Sequence, residues 1–227
     1  MQFTAQQLNT IRKNVHEFEQ QYGREKNSVK IVAASKTRSI EEILSALGYG
    51  QLDFGENYQQ EAVAKINSLS HKNIVWHFIG PLQTNKARHI AEHFSWIHSV
   101  DRIKIAERLS KLRSPDQADL NVCIQINISQ EKSKSGTSLD NLKSLAEAIA
   151  LLPGLRLRGL MALPVPAKDL GKQRDAFREV RDYFDLLRSC GHELDTLSMG
   201  TSNDMEAAIA EGATIIRLGT ALFGARK

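Results

Sequence analysis

The sequence predicts a closed (β/α)8 barrel, an α/β fold of the TIM type, carrying one extra N-terminal helix. Three observations support that expectation. Short apolar runs alternate with helical patterns along the whole chain, as successive parallel βαβ units require. About eight such runs are present, where a doubly wound sheet typically has five or six. A length of 227 residues suits one α/β barrel, and no G-x-G-x-x-G follows the first strand to favour a dinucleotide fold.

The extra helix comes first. Leu8, Ile11, Val15 and Phe18 recur at intervals of three and four to make one apolar stripe, and Gly23 suits its stop. Strands are expected at 29–35, 51–56, 74–80, 96–100, 121–127, 156–163, 196–199 and 214–219, with helices in the gaps. Ser39-Ile40-Glu41-Glu42 and Thr137-Ser138-Leu139-Asp140 both have the spacing of a capping box. Leu142, Leu145, Ile149 and Leu152 form a helical stripe closed by Pro153-Gly154. Phe177, Val180, Phe184 and Leu187 form another, ahead of Gly191. The last helix is expected over about 203–211, ending at Gly212. No linker, repeat or low-complexity stretch interrupts this order, so residues 1–227 are expected to form a single domain.

Composition excludes several classes of function. Hydrophobic residues make up 41% and charged residues 25%, as in ordinary globular proteins, and no apolar run approaches the ~20 residues that span a bilayer. Residues 1–7 lack the basic flank and apolar stretch of a secretory leader. Cys123 falls within a strand and Cys190 precedes Gly191, so no disulfide is expected and a reducing cytoplasm fits. The net charge of +4 is only mildly basic. Arg102, Lys104, Arg108, Lys111 and Arg113 read as a solvated helix face, so no nucleic-acid or membrane role is expected.

Active sites of such barrels lie where the strands end and the βα loops begin. The first strand runs Val29-Lys30-Ile31-Val32-Ala33-Ala34-Ser35 into Lys36. Lys36 shares parity with Val32 and Ala34, so it points inward unless it snorkels to solvent. A desolvated lysine loses its proton readily and attacks carbonyls. The seventh strand gives Ser198, Gly200 and Ser202 and leads directly into a helix, while the eighth gives Arg217, Gly219 and Thr220. Loops seven and eight of these barrels often hold phosphate at a helix start. Ser202 and Asn203 alone could simply cap that helix; paired with Gly219-Thr220 they favour a phosphate site.

Arg217 lies within an apolar strand, where an unpartnered guanidinium is costly. It either pairs with a carboxylate such as Asp53 or Glu56, or faces the barrel mouth. His77, between Trp76 and Phe78, reads as a hydrogen-bonded core residue. His71, His77, His89, His93 and His98 lack convincing metal-ligand spacing, and no Ser-His-Asp context is present, so neither a metal site nor a catalytic triad is expected. An imine-forming lysine, a phosphate cradle and an arginine on one rim suggest pyridoxal 5'-phosphate (PLP), which carries an aldehyde, a phosphate and a ring nitrogen.

These residues sit in longer motifs: Ala33-Ala34-Ser35-Lys36-Thr37, Phe54-Gly55-Glu56-Asn57-Tyr58, Trp76-His77-Phe78-Ile79-Gly80-Pro81-Leu82-Gln83, Ser198-Met199-Gly200-Thr201-Ser202-Asn203-Asp204 and Arg217-Leu218-Gly219-Thr220. With them the chain closely resembles, over almost its whole length, the YggS/PROSC family of PLP homeostasis proteins. The resemblance implies a barrel like the N-terminal domain of alanine racemases, with PLP as an internal aldimine on Lys36. It further implies that Ser202, Gly219 and Thr220 hold the phosphate, with Ser198 and Gly200 close by, and that Arg217 faces the pyridine nitrogen. Asn57 is then expected near the ring's polar edge and Met161 against a ring face. Racemases of this type add a β-rich domain that supplies a catalytic tyrosine. The chain ends at Phe223-Gly224-Ala225-Arg226-Lys227, where no such domain is expected, and Ile40 replaces the racemase tyrosine that follows the lysine. The resemblance therefore implies a monomeric cofactor carrier that stores PLP and transfers it to PLP-dependent apoenzymes, with no catalytic residue assigned. A small PLP-dependent racemase or lyase, and a cofactor-free Schiff-base aldolase, are the competing readings.

Overall fold

The computed structural model describes residues 5–128 and 135–224. Eight parallel strands pair in chain order and close on themselves, the first against the last. They are β1 Lys30–Ala34, β2 Asp53–Glu56, β3 Val75–Phe78, β4 Trp96–Val100, β5 Leu120–Ile126, β6 Leu155–Ala162, β7 Thr196–Ser198 and β8 Ile215–Leu218. Each lies where an apolar run predicts it, because a parallel strand is covered on both faces and reads as a nearly continuous apolar stretch.

Alternation along the strands sorts side chains into two layers. Ala33, Phe54, Ile97, Leu160, Leu197, Ile216 and Leu218 belong to the large core between barrel and helices. Val32, Trp96, Cys123, Met161 and Ile215 form a second, smaller cluster. Their alternation with the outward set places them inside the barrel, so β1 aims Val32 inward as the parity argument requires, and β8 aims Arg217 the same way.

The helices are α1 Ala5–Gln21, α2 Ile40–Gly48, α3 Gln59–Ser68, α4 Ala87–His93, α5 Ile103–Leu112, α6 Leu139–Ala150, α7 Leu170–Ser189, α8 Met205–Ala210 and α9 Thr220–Phe223. Helix α1 buries Leu8, Ile11 and Val15. Its buried Glu19 accepts from the N–H groups of Asn27 at 3.0 Å and Val29 at 2.9 Å, which ties the helix to the entry of β1.

The capping box at Ser39 forms in both directions with Glu42. The second expected box does not. Ser138 caps α6 without a side-chain bond, because its hydroxyl instead accepts from Asn141 Nδ2 at 2.9 Å and Thr137 is drawn into a bridge with Ile126. Arg113 also departs from the expected solvated face: it is half-buried and donates to the carbonyls of Phe94 and Ala118 at 3.0 and 2.9 Å. Helix α9 is an addition to the expected elements; four residues carry no readable periodicity. Cys123 is buried and Cys190 exposed, both as free thiols. Among the described residues no helix is long and apolar enough to cross a membrane. The expectations about a leader in residues 1–4 and about the chain end at 225–227 lie outside the described residues.

Candidate functional site

The C-terminal mouth of the barrel gathers most of the residues singled out by sequence. Strand β1 stops at Ala34, and Lys36 sits half-buried in the turn that follows. Both of its neighbours are held. Ser35 Oγ donates to Glu56 Oε1 at 2.6 Å. Lys65 Nζ, buried on α3, donates to Ser35 O at 2.7 Å, Glu56 Oε1 at 2.8 Å and Glu61 Oε1 at 2.6 Å. On the other side the Thr37 N–H donates to Glu61 Oε1 at 2.6 Å. Thr37 has φ 63°, a left-handed conformation that a β-branched residue keeps only where its surroundings impose it. Burial pushes the Glu56 carboxyl up, against the pull of the Lys65 charge. A cluster of buried Glu56 and Lys65 with half-buried Glu61 thus fixes the backbone on either side of Lys36. Glu61 and Lys65 escape sequence reading because their four-residue spacing looks like an ordinary surface pair on a helix.

Arg217 faces the interior, 6% exposed. Its Nη1 donates to Ser198 Oγ at 2.6 Å and its Nη2 to Ala162 O at 3.0 Å. The ion pair with Asp53 or Glu56 does not form: Asp53 is engaged by Lys30 and His77, and Glu56 by Lys65 and Ser35. Burial pulls the guanidinium down to about 10, which leaves it charged at neutral pH. A buried cation held by neutral acceptors keeps donor capacity for a ligand.

The loops after β7 and β8 converge. Ser202 Oγ accepts from Ala221 N at 3.3 Å, so it reaches α9 and does not cap α8. That capping stretch is occupied by Asp204, whose Oδ1 accepts from Thr201 Oγ1 at 2.8 Å. Gly200 has φ 96°, and a Cβ there would stand 2.6 Å from Ala208 Cβ, so only glycine lets the loop lie flat on α8. A Cβ on Gly219 would be 3.6 Å from Ala34 Cβ, which brings the end of β8 beside the end of β1. Lys36, Ser198, Gly200, Ser202, Arg217, Gly219 and Thr220 therefore share one sector formed by β1, β7 and β8.

Asn57 approaches from the other side, just after β2. Its Oδ1 is buried and has no hydrogen-bond partner among the described residues, and Asn57 lines a cavity of about 360 Å³ with Ile79, Pro81, Gln125 and Leu163. Gly80 permits this approach, because a Cβ there would run into the Asn57 carbonyl. Met161 lies in the interior cluster, 1% exposed. The donor set fits a phosphorylated pyridine aldehyde: one lysine, one buried guanidinium, a hydroxyl- and glycine-lined rim, and an orphaned carbonyl oxygen beside a cavity. His89, Glu92 and His93 gather away from this site on α4, where His93 Nδ1 already bonds His89 O at 2.9 Å.

A closed parallel barrel with a lysine after its first strand and an anion-shaped rim after its last two defines a class, the racemase-type barrel proteins. The profile of the family "alanine racemase, N-terminal domain" matches residues 6–227. The pyridoxal phosphate homeostasis protein of Pseudomonas aeruginosa is 50% identical over 226 residues, covering 100% of this chain and 97% of that protein. The protein of the same name from Escherichia coli K12 is 47% identical over 225 residues, covering 98% and 96%. The structure of PipY of Synechococcus elongatus PCC7942 with PLP bound superposes with a TM-score of 0.85 at 34% identity, covering 97% of this chain and 99% of that one. Alanine racemase from Corynebacterium glutamicum, at 18% identity and a TM-score of 0.67, shares the fold over 60% of its own chain. The chain belongs to the racemase N-terminal-domain family and, within it, to the pyridoxal phosphate homeostasis proteins.

Proposed function

We propose that this protein binds PLP through Lys36 at the barrel mouth and serves intracellular PLP homeostasis, holding the cofactor and passing it to PLP-dependent apoenzymes. The observation that carries the reading is the convergence of the β7 and β8 loops on the end of β1, with Ser202 bonded to Ala221 N and Gly219 against Ala34. Bound there, PLP supplies an aldehyde that condenses with an amine and a ring that delocalises charge. The protein's residues do the rest. The Glu56–Lys65–Glu61 cluster holds the Lys36 turn; Ser202, Gly219 and Thr220 take the phosphate, with Ser198 and Gly200 supporting that loop. Arg217 donates to the ring nitrogen, and because a guanidinium keeps its proton it leaves that nitrogen unprotonated and the ring a weak electron sink. Asn57 meets the ring's polar edge, and Met161 packs beneath. One domain over residues 1–227, acting as a monomer in the cytoplasm, completes the proposal.

The test is direct. Purified protein with added PLP should turn yellow, and borohydride should fix the cofactor to the peptide containing Lys36, as mass spectrometry reads. A Lys36→Ala protein that retains the same visible band and the same covalent adduct sinks the assignment. Exchange of the α-hydrogen of an amino acid for deuterium at a useful rate would mark a racemase or lyase instead of a carrier.

A further inference from the structure

A line of polar side chains crosses the barrel interior from one end to the other. It starts at the N-terminal face, where Lys30 and Asp53 line a cavity of about 270 Å³ and lie 3.1 Å apart. Asp53 Oδ1 is 3.0 Å from His77 Nε2, and His77 Nδ1 is 2.9 Å from His98 Nε2. His98 Nδ1 is 2.7 Å from Ser198 Oγ, which accepts from Arg217 Nη1 at 2.6 Å. The chain thus climbs from the foot of β2 through β3 and β4, crosses to β7, and ends on β8 at the mouth. His77, His98 and Ser198 are fully buried. Interiors of such barrels are normally filled by bulky apolar layers, so two histidines there need an account.

With both rings neutral, the Asp53 end fixes the direction of every bond. A carboxylate can only accept, so His77 carries its proton on Nε2 and donates it to Asp53. His77 Nδ1 then accepts, so His98 carries its proton on Nε2 and donates it there. His98 Nδ1 in turn accepts from the Ser198 hydroxyl, whose oxygen accepts from Arg217. This geometry allows one tautomer for each neutral ring. Burial keeps both rings neutral, against the pull of the Asp53 charge on His77, while His77 and Arg217 push His98 in the same direction as burial. Asp53, which burial alone would raise, is held ionised by the hydrogen bond from His77 and by Lys30. His77 is further fixed by stacking on Trp96, 5.6 Å between ring centres.

We propose that Asp53, His77 and His98 are positioning residues that act from the opposite face of the barrel, orienting the Ser198 hydroxyl and through it aiming the Arg217 guanidinium at the cofactor ring. The proposal rests on the PLP reading above. Three neutral groups thus fix Arg217 through hydrogen bonds, with no carboxylate bonded to it that would compete for its donors; the carboxylate whose charge acts on it is Asp204.

Two measurements test this. In 15N-labelled full-length protein without cofactor, imidazole NMR at about pH 7.5, above the ordinary histidine range, should show His77 and His98 as neutral Nε2–H tautomers. A ring that is charged at that pH, or carries its proton on Nδ1, overturns the chain. With PLP bound, Asp53→Asn and His98→Phe should shift the visible band in the same direction as Ser198→Ala and raise the PLP dissociation constant several-fold. Variants that fold and bind PLP with a wild-type spectrum and affinity overturn the positioning role while leaving the cofactor reading intact. A wild type that takes up no PLP sinks the cofactor reading, and this role with it, whatever the tautomers.

Discussion

At the scale of single residues, the buried histidines give the clearest consequence. His77 and His98 are neutral in the fold because burial disfavours their charge; Asp53, Lys30 and Arg217 are the charged groups facing them. Their folded pKa lies below the ordinary 6.5, so below that pH the unfolded chain binds protons that the native one does not. Stability then falls as pH drops below about 6.5, by at most ~1.4 kcal/mol per pH unit for each histidine until the folded ring itself takes the proton. Denaturant titrations downward from about pH 7 should show this fall, and His98→Phe should make it shallower. The two thiols give a second test. Burial pushes Cys123 up to about 12, while Cys190 is exposed. A maleimide should label Cys190 in native protein and reach Cys123 only after unfolding.

Residue-scale detail was legible in part. Arg217, an arginine within an apolar strand, stands out in the sequence, but the sequence leaves open whether it pairs with a carboxylate or faces the barrel mouth; the structure turns it inward. Its partners could not be read, because Ser198 and Ala162 O come from distant strands. The pairing of His77 with His98 was equally hidden, although both occupy alternate positions in aromatic-rich strands and so share an interior face.

At the scale of elements, the turn after β1 depends on α3. Replacing Lys65 with Met leaves the Glu56 carboxylate buried without its cation, a change that costs ~3–5 kcal/mol for buried pairs. Because the Glu56 pKa is already raised by burial, protonation relieves that loss. The destabilisation of Lys65→Met should therefore shrink as pH is lowered toward the carboxylate range, measurable by chemical denaturation. The same variant should lower the yield of borohydride fixation on Lys36, since Ser35 O and the Thr37 N–H lose their common anchor. Elements were legible where a local signal existed, as in the α1 stripe and the Ser39 capping box. They were not where tertiary partners intervened: Asn141 diverted Ser138, and α9 forms where the chain turns back beneath Ser202.

At the scale of the whole molecule, the closed barrel was the most legible feature, since eight two-sided strands leave eight apolar runs that no other arrangement explains as well. Closure also distributes strength unevenly. Strands β5 and β6 pair along their full length, from Leu120 opposite Leu155 to Ile126 opposite Ala162. Strands β7 and β8 pair over a shorter run, Ser198 opposite Ile215, flanked by backbone bonds from Thr214 to Leu197 O, Met199 to Ile215 O and Arg217 to Gly200 O. The join between the two strands whose loops converge on the end of β1 is therefore shorter than that between β5 and β6. A ligand held by Ser202 on one side and Gly219-Thr220 on the other would act as a clasp across that join. Amide hydrogen exchange at Met199, Arg217 and Ala221, whose N–H groups bond Ile215 O, Gly200 O and Ser202 Oγ, should then slow on loading, while β5 and β6 stay unchanged. If PLP binds there as proposed, it would be a removable part of the barrel's wall, and its release would loosen the protein at the point of exit.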